Sequence, residues 1–591
     1  MTDVEVPVLI VGGGGAGLTA SMLLAKLGVE TLLVSALPTT SILPKAHVLN
    51  QRAMEVLDDV GVAKEIYARG TPPENMRYTA FYAGFAGPDP LYGKRLARLE
   101  CWGGGGLDTD WASASPCLQT NLPQIRLEPL LKAHAESLTP GRVRFNHEVT
   151  DIAQDADGVT ATVRDKGDGS TYTVRARYVL ACDGGRTIGR KLGVELEGPR
   201  DLVRIVSIYM TADLSRWATD DDTLIRWILL PDAGLWGTLV PMGPTRWGRH
   251  SEEWVFHLSY QHDDQRAMDD AYAIARMKEV LGVPELDPQV HVVSRWSIEG
   301  ILANRFRVDR IFLVGDAAHR HPPTGGLGLT SAIHDAQNLC WKIAAVLRGE
   351  AGDALLDSYE AERKPHAAAM TREGIRMKDF VSMVNPLGTA LRNLLTRVLT
   401  RLPGIGPFVC RGDFIPKPSY RAGSYLGLPR RAWRGAEGRL VPQPLLRGPD
   451  GRRQRFDDLA GDGFVLVGAG CDPRDGMDDT SLALWRALGA RFVAVYPFGG
   501  RPAGDGVAHG APAGLIEAED PDGAFHRWLR TSGGGRGSVA VLRPDRFVFA
   551  LVGAAQMPET TRELARQLHR AEAAPVAIPR PAVATGRMEV A

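Results

Sequence analysis

The chain has 591 residues, with 69 Lys+Arg set against 69 Asp+Glu, and 44% hydrophobic and 23% charged residues. That composition is ordinary for globular domains and excludes a disordered chain, and zero net charge leaves no electrostatic footprint for nucleic acid or an anionic membrane. Six scattered cysteines without a C-x-x-C pair argue against a disulfide scaffold, a zinc site and a dithiol centre, so no metal is expected. Residues 1–11 are acidic and do not read as a secretory signal, so a soluble cytoplasmic protein is expected. Val6–Ala25 is uncharged over 20 residues, but its five glycines read as strand, turn and helix rather than a membrane span.

The first elements lie in VPVLIVGGGGAGLTASMLLAKLGVETLLVSA. Val8–Val11 is an apolar run of the kind buried in parallel sheets, a helix is predicted from about Ala16 to Leu27, and Thr31–Val34 is the next strand. Gly12, Gly14 and Gly17 stand between strand and helix in the G-x-G-x-x-G spacing. Gly12 allows the tight turn, Gly14 lets a pyrophosphate approach the backbone, and Gly17 lets helix and strand pack closely. The helix start then offers free N–H groups and its positive dipole end to phosphates. Ser35 occupies the place where a ribose-binding acid is expected, and no P-loop string is present.

A β-rich stretch (Val143–Glu148, Val159–Val163, Tyr172–Val174) leads to the apolar run Tyr178–Cys182, followed directly by Asp183-Gly184. Gly315-Asp316 likewise follows the predicted strand Ile311–Val314. A turn with Gly325, Gly326 and Gly328 comes next, then apolar residues at helical spacing from Leu329 to Leu347. A carboxylate able to bind polyol hydroxyls and a second helix N-terminus are thus expected at one strand end.

In this order and spacing the three motifs resemble the group A FAD-dependent aromatic hydroxylases, single-component flavoprotein monooxygenases related to p-hydroxybenzoate hydroxylase and phenol hydroxylase. LPKAHVLNQRAMEVL and GDAAHRHPPTGGLGLTSAIHDAQNLCWK are similar to the 2,4-dichlorophenol 6-monooxygenase branch, and the resemblance spans roughly residues 5–380. It implies a tightly, non-covalently bound FAD, NAD(P)H as co-substrate and O2. It also implies transfer of oxygen from a flavin C4a-hydroperoxide to a phenolic or hydroxylated heteroaromatic ring. Gly12, Gly14 and Gly17, with Gly15, Ala16 and Ser35 beside them, would hold the dinucleotide; Lys45 would reach its phosphates, and Gln124 would lie near the flavin side chain. Gly315-Asp316 would bind the ribityl chain, and Asp183-Gly184 would serve both FAD and NAD(P)H. Pro322 and Pro323 would lie beside the ring and substrate, with Gly326, Gly328, Leu329 and Thr330 at the flavin. Thr330 and His334 depart from the family's usual Asn and Gln.

His47 is the candidate catalytic group, orienting or deprotonating the substrate hydroxyl, because histidine titrates nearest neutral pH; a packed histidine without a proton role is the competing reading. His319 and His321 lack a third metal ligand, and Arg186 and Arg190 could attract phosphates. Of the aromatics Trp102, Trp111, Trp254, Phe256 and Trp296 with Trp227 and Trp236, the last two are taken with Pro322 as pocket walls. Gly103–Gly106 reads as a flexible loop.

The fold class expected is mixed α/β (α+β): a Rossmann-like FAD-binding domain of the p-hydroxybenzoate hydroxylase type, interleaved with a β-sheet substrate domain. Within 1–415 the former takes about 1–70, 120–195 and 300–400 and the latter about 70–120 and 195–300. A linker (416–443), a thioredoxin-like domain without its dithiol (444–570) and a flexible tail (571–591) follow. A homodimer is expected. The alternatives are a natural-product tailoring hydroxylase for a hydroxypyridine or polyketide aromatic, and a non-catalytic FAD-binding interaction protein. The W-x-W-x-I-P string of flavin halogenases is absent.

Overall fold

The computed structural model describes residues 4–86, 93, 95–106, 108, 111, 114–230, 235–260, 264–383, 386–399, 402–410, 415–427, 435–502 and 514–569. The expected tail at 571–591 and the linker residues Arg430, Arg431, Trp433 and Arg434 lie outside them. The first motif is β1 (Val4–Val11), α1 (Gly15–Lys26) and β2 (Thr31–Ser35), as the sequence predicts. Helix α2 (Gln51–Asp59) and strands β3 (Tyr78–Tyr82) and β4 (Arg95–Glu100) precede helix α3 (Gln124–Leu138). Then come β5 (Val143–Phe145), β6 (His147–Gln154), β7 (Val159–Asp165) and β8 (Thr171–Ala181). After β9 (Val203–Thr211), β10 (Thr223–Leu230), β11 (Leu235–Gly243) and β12 (Glu253–Tyr260), helix α4 (Asp270–Leu281) leads to β13 (Gln289–Ile298). β14 (Ile311–Leu313), α5 (Leu327–Leu347) and α6 (Asp357–Val381) close this part.

The parallel strands lie in the order β14-β8-β1-β2-β5, and β7 and β6 add to β8 as an antiparallel extension. β2 is buried throughout, because parallel strands covered by helices need no polar face. A second sheet has the order β13-β9-β12-β11-β10-β3-β4. Its pleat sorts residues by parity. Val206, Ile208 and Met210 of β9 and Trp254, Phe256 and Leu258 of β12 pack with α4 in one core. The odd-numbered residues of the same strands face the other way, toward the first sheet.

The C-terminal part has β15 (Val465–Ala469), α7 (Asp479–Ala487), β16 (Arg491–Pro497), β17 (Leu515–Asp520), α8 (Ala524–Thr531), β18 (Ser538–Leu542), β19 (Val548–Gly553) and α9 (Met557–Gln567). Its seven-stranded sheet contains the run β17-β16-β15-β18-β19, with the first three parallel and β18 and β19 each antiparallel to the strand before it, and the short strands Leu445–Arg447 and Arg453–Arg455 extend it beyond β17. Strand β17 and helix α8 escape the sequence reading. LIEAED carries three acids, which disfavours a strand by propensity. The last of them is absorbed at the turn, where Asp520 accepts hydrogen bonds from the N–H groups of Ala524 and His526.

A buried charge cluster joins this unit to the rest. Glu362 of α6 accepts from both terminal nitrogens of Arg543 at 2.7 and 2.9 Å, from Lys342 at 2.9 Å and from Asn338 at 2.6 Å. All of these side chains except Asn338 are fully buried, and Asp545 completes the balance by pairing with Arg543. Among the described residues no helix is long and apolar enough to cross a membrane, and Val6–Ala25 divides between β1 and α1 as expected. Arg543→Met removes one cation from a buried set that stays otherwise charged, so it is expected to destabilise folding by about 3–5 kcal/mol, read by urea denaturation.

Candidate active site

The turn after β1 is held by the Gly12 N–H donating to Val34 O at 2.8 Å. Gly12 has φ +119°, and a Cβ there would lie 2.2 Å from Cys182 O; one on Gly17 would lie 1.9 Å from Gly12 O. Gly14 behaves differently. A Cβ there meets nothing nearer than Glu128 Oε1 at 3.7 Å, so its open side faces the cleft. Gly14 is the N-cap of α1 and no side chain caps that helix, which leaves the first N–H groups, including those of Gly15 and Ala16, for an anion. A Cβ on Gly15 would lie 2.5 Å from Leu329 Cδ1, so the starts of α1 and α5 meet. Lys45 is exposed on the cleft wall with no ion-pair partner among the described residues. Ser35 is buried at the end of β2, its hydroxyl 3.4 Å from the Leu37 N–H.

The other two motifs converge on the same cleft. Asp316 is exposed there, and its carboxylate has no hydrogen-bond partner among the described residues. The loop that carries it is fixed by a residue the sequence reading missed. Asp335 of α5 accepts from the Gly315 N–H at 3.0 Å, and pairs with His319 at 2.7 Å and Arg363 at 2.6 Å, all out of water. Arg363 and His319 hold its carboxyl well below the usual range against the opposing effect of burial. Asp183 directs its carboxylate to its own loop, accepting from the N–H groups of Gly185, Thr187 and Ile188 at 2.7–3.1 Å. Only backbone at Gly184 is left open, where a Cβ would meet nothing within 4 Å. Of the two nearby arginines, Arg186 lines the cleft and Arg190 does not.

Helix α5 is capped by Gly326 (φ +66°), again without a side-chain acceptor, and Gly328 has open space on its Cβ side. Thr330 donates its hydroxyl to Leu327 O at 3.1 Å, so it faces its own helix. Pro323 lines the cleft, whereas Pro322 is buried, with a Cβ on Gly374 falling 3.1 Å from its Cδ. Pro322 therefore stands behind the wall and not in it. Gln124 is likewise occupied: its Oε1 accepts from the Ala46 N–H at 3.0 Å and its Nε2 donates to Glu128 at 2.7 Å. The stacked His319 and His321 rings, 4.5 Å apart, are tied to Asp335 and Thr371, and no group of three potential metal ligands occurs among the described residues.

The cleft, about 2110 Å³, continues beneath the second sheet. Trp227 and Trp236 line it, their rings 5.6 Å apart. Trp296 lines it too, while Trp254 and Phe256 face the opposite core because parity places them there. Gly103–Gly105 form a buried left-handed turn instead of an open loop, with Trp111 and Glu100 packed where side chains would be. His47 sits between the two sheets with Nδ1 2.6 Å from Asn121 Oδ1. Asn121 donates its Nδ2 to Thr71 Oγ1, so its oxygen faces His47 and Nδ1 carries the proton. Burial lowers the ring to about 4, outweighing the bond to Asn121. A second imidazole, His257, which the sequence reading did not single out, also faces the cleft and is lowered to about 3 by burial and then by His47.

A family model described as "FAD binding domain" matches residues 5–374, and one described as "HcaD C-terminal domain" matches residues 438–567. The 2,4-dichlorophenol 6-monooxygenase of Delftia acidovorans is 34% identical over 391 residues, 66% of this chain and 65% of that protein. The match therefore spans slightly less than two thirds of that relative's length. Tetracenomycin A2 monooxygenase-dioxygenase of Streptomyces glaucescens is 32% identical over 576 residues, 93% of each chain. Among solved structures, flavin-dependent monooxygenase PieE in complex with FAD and substrate is similar with TM-score 0.77 at 29% identity, covering 96% of this chain and all of that one.

Two outcomes are expected from this geometry. Gly14→Val should leave the melting temperature nearly unchanged while lowering bound flavin, read as visible absorbance per mole of protein, at least about tenfold. Because the ordinary histidine value is 6.5 and burial lowers His47, His257 and His366, the unfolded chain takes up protons that the folded chain refuses. Folding stability is full above pH about 6.5 and falls as pH drops from there toward 4, which urea midpoints at pH 7 and 5 will show.

Proposed function

The chain belongs to the family of FAD-dependent aromatic hydroxylases, and from that premise we propose that it uses FAD, NAD(P)H and O2 to hydroxylate a phenolic or hydroxylated heteroaromatic ring. The observation that carries the reading is the pairing of two side-chain-free helix starts and an unpartnered Asp316 with an aromatic-walled cavity containing His47. The residues fit the cofactor: a Cβ is excluded at Gly12 and Gly17 but open at Gly14, where a pyrophosphate needs the backbone. Gly14, Gly15 and Ala16 would hold the phosphates with Lys45 beside them, and Asp316 would hold the polyol chain. Gly328, Leu329 and Thr330 would present α5 N–H groups to the ring. When bound, FAD supplies the redox chemistry, reduction by NAD(P)H and activation of O2.

The chain itself positions the ring and controls one proton. Trp227 and Trp236 form an apolar wall that excludes water and stacks an aromatic substrate. Asn121 fixes the His47 tautomer, so Nε2 is the acceptor and takes a hydrogen bond from the substrate hydroxyl. With its value near 4, His47 is a weak base, so it polarises and orients the hydroxyl rather than holding its proton. That draws electron density toward the carbons beside and opposite the oxygen.

A relative matched along 93% of both chains is named for tetracenomycin A2. A fused-ring natural-product aromatic is therefore the second reading. We place the division of the chain at 1–415, 416–443 and 444–570, with the last part thioredoxin-like by its β15-α7-β16 and β18-β19-α9 succession. A single Cys471 there leaves it without dithiol chemistry. A homodimer is supported by the helix Pro386–Leu399, which exposes Leu387, Leu391, Leu394, Leu395 and Val398 along one stripe.

Purified protein should be yellow and oxidise NAD(P)H faster when offered phenols, hydroxypyridines or hydroxylated polycyclic rings, with a product one oxygen heavier by mass spectrometry. A flavin-bearing protein with no ring-stimulated oxidation would support the non-catalytic reading instead. His47→Gln is expected to slow ring hydroxylation by at least about tenfold with flavin content unchanged.

A further inference from the structure

The roof of the cavity carries a hydrogen-bonded chain that the proposed reaction does not use. Strands β9, β12 and β13 pair side by side, with Ser207 opposite His257 on one side and opposite Ser294 on the other. Trp296 donates its Nε1–H to Ser207 Oγ at 2.7 Å, and Ser207 Oγ lies 2.7 Å from His257 Nδ1. Both rings belong to the cavity-facing set, and they meet edge to face at 6.0 Å.

The direction of the chain is assigned from the Trp296 N–H, which can only donate, and from the Ser207 hydroxyl, whose one acceptor among the described residues is His257 Nδ1. An indole N–H only donates, so Ser207 Oγ receives that bond. The Ser207 proton then needs an acceptor, and His257 Nδ1 is the one in reach. With Nδ1 accepting, the neutral ring carries its proton on Nε2. Nε2 has no protein partner among the described residues and is not a buried unsatisfied atom, so this N–H opens into the cavity. His47 is set the opposite way by Asn121, with Nδ1 as donor and Nε2 as acceptor. One cavity thus offers two neutral imidazoles of opposite polarity, close enough for the charge of one to depress the other.

We infer that His257, locked by Ser207 and Trp296, is a specificity-determining residue that donates to a carbonyl oxygen, so the preferred substrate is an aromatic ring bearing both a hydroxyl and a ring-conjugated ketone. This rests on the ring-hydroxylase reading above and narrows it. A ring with only the hydroxyl leaves the Nε2–H of His257 unpaired in an apolar pocket, and that loss is what selects against it.

The test is ligand binding to the flavin-loaded protein, read by perturbation of the flavin spectrum. The probes are 6-hydroxy-1-tetralone, 5,6,7,8-tetrahydro-2-naphthol, which lacks the ketone, and 1-tetralone, which lacks the hydroxyl. The hydroxyketone should bind at least about tenfold tighter than either. His257→Leu should abolish its advantage over tetrahydronaphthol, with flavin content in place and tetrahydronaphthol bound more tightly because no donor is left unpaired; His257→Gln, which keeps a donor, should retain part of the advantage. Ser207→Ala frees His257 to turn its acceptor nitrogen inward and should reduce the preference for the ketone without loss of the ring. Equal affinities for the three probes in the parent protein, or an unchanged ratio in His257→Leu, would overturn the inference even if the hydroxylase reading stands. Failure of the hydroxylase reading shows separately, as absence of ring-stimulated NAD(P)H oxidation.

Discussion

Helix α1 rests directly on the turn that precedes it, at a contact where even one Cβ on Gly17 would fall 1.9 Å from Gly12 O. The rest of the site depends on that contact. It places the first N–H groups of α1 at the C-terminal edge of the parallel sheet, with no side chain to cap them. Uncapped N–H groups beside an apolar cavity are costly unless an anion or water answers them, so the arrangement is built for a ligand phosphate. The same logic recurs at α5, whose glycine cap at Gly326 is also free of a side-chain acceptor. The two starts touch through Gly15 and Leu329, which turns two local anion sites into one extended cradle.

What holds that cradle rigid is charge kept out of water. Asp335 grips the Gly315 N–H and is itself held by His319 and Arg363. Arg363 in turn reaches the Tyr420 hydroxyl at 3.2 Å, and Tyr420 stacks on Phe547 at 4.4 Å. Glu362, the residue before Arg363 on α6, takes Arg543 and Lys342, the latter two turns beyond Asp335 on α5. The C-terminal unit is therefore wired to the helix that opens at the cofactor site. Buried ion pairs are weak evidence for net stability, but removing one partner is severe, and this gives the two units a fixed relation.

The second sheet works by alternation. Strands β9 and β12 bury one parity of residues against α4 and offer the other to the cavity, so Trp254 is core and His257 is wall although they are neighbours in sequence. A one-residue slip would exchange the two sets and replace a polar recognition surface by tryptophan and phenylalanine. Register is thus a functional property of this sheet.

The sequence by itself determined the local machinery. The glycine spacing at Gly12, Gly14 and Gly17, the Gly315-Asp316 pair after a strand, and the helical stripe from Leu329 are short-range patterns whose physics lies within a few residues. The thioredoxin-like expectation for the C-terminal part rests on patterns of the same short range, which miss β17 and α8; the last acid of β17 satisfies a turn that only the folded chain forms. Tertiary structure alone decided which polar groups remain free. Asp183 and Gln124 look like ligand residues in sequence, but in the fold their side chains are engaged by Thr187, Ala46 and Glu128, and Pro322 packs against Gly374 outside the cleft lining. Asp335 and His257 gave no sequence signal, because their roles come from hydrogen bonds to Arg363 in α6 and Ser207 in β9, segments far along the chain. A side chain's chemistry is written in its residue type, but its availability depends on which distant partners the fold brings to it.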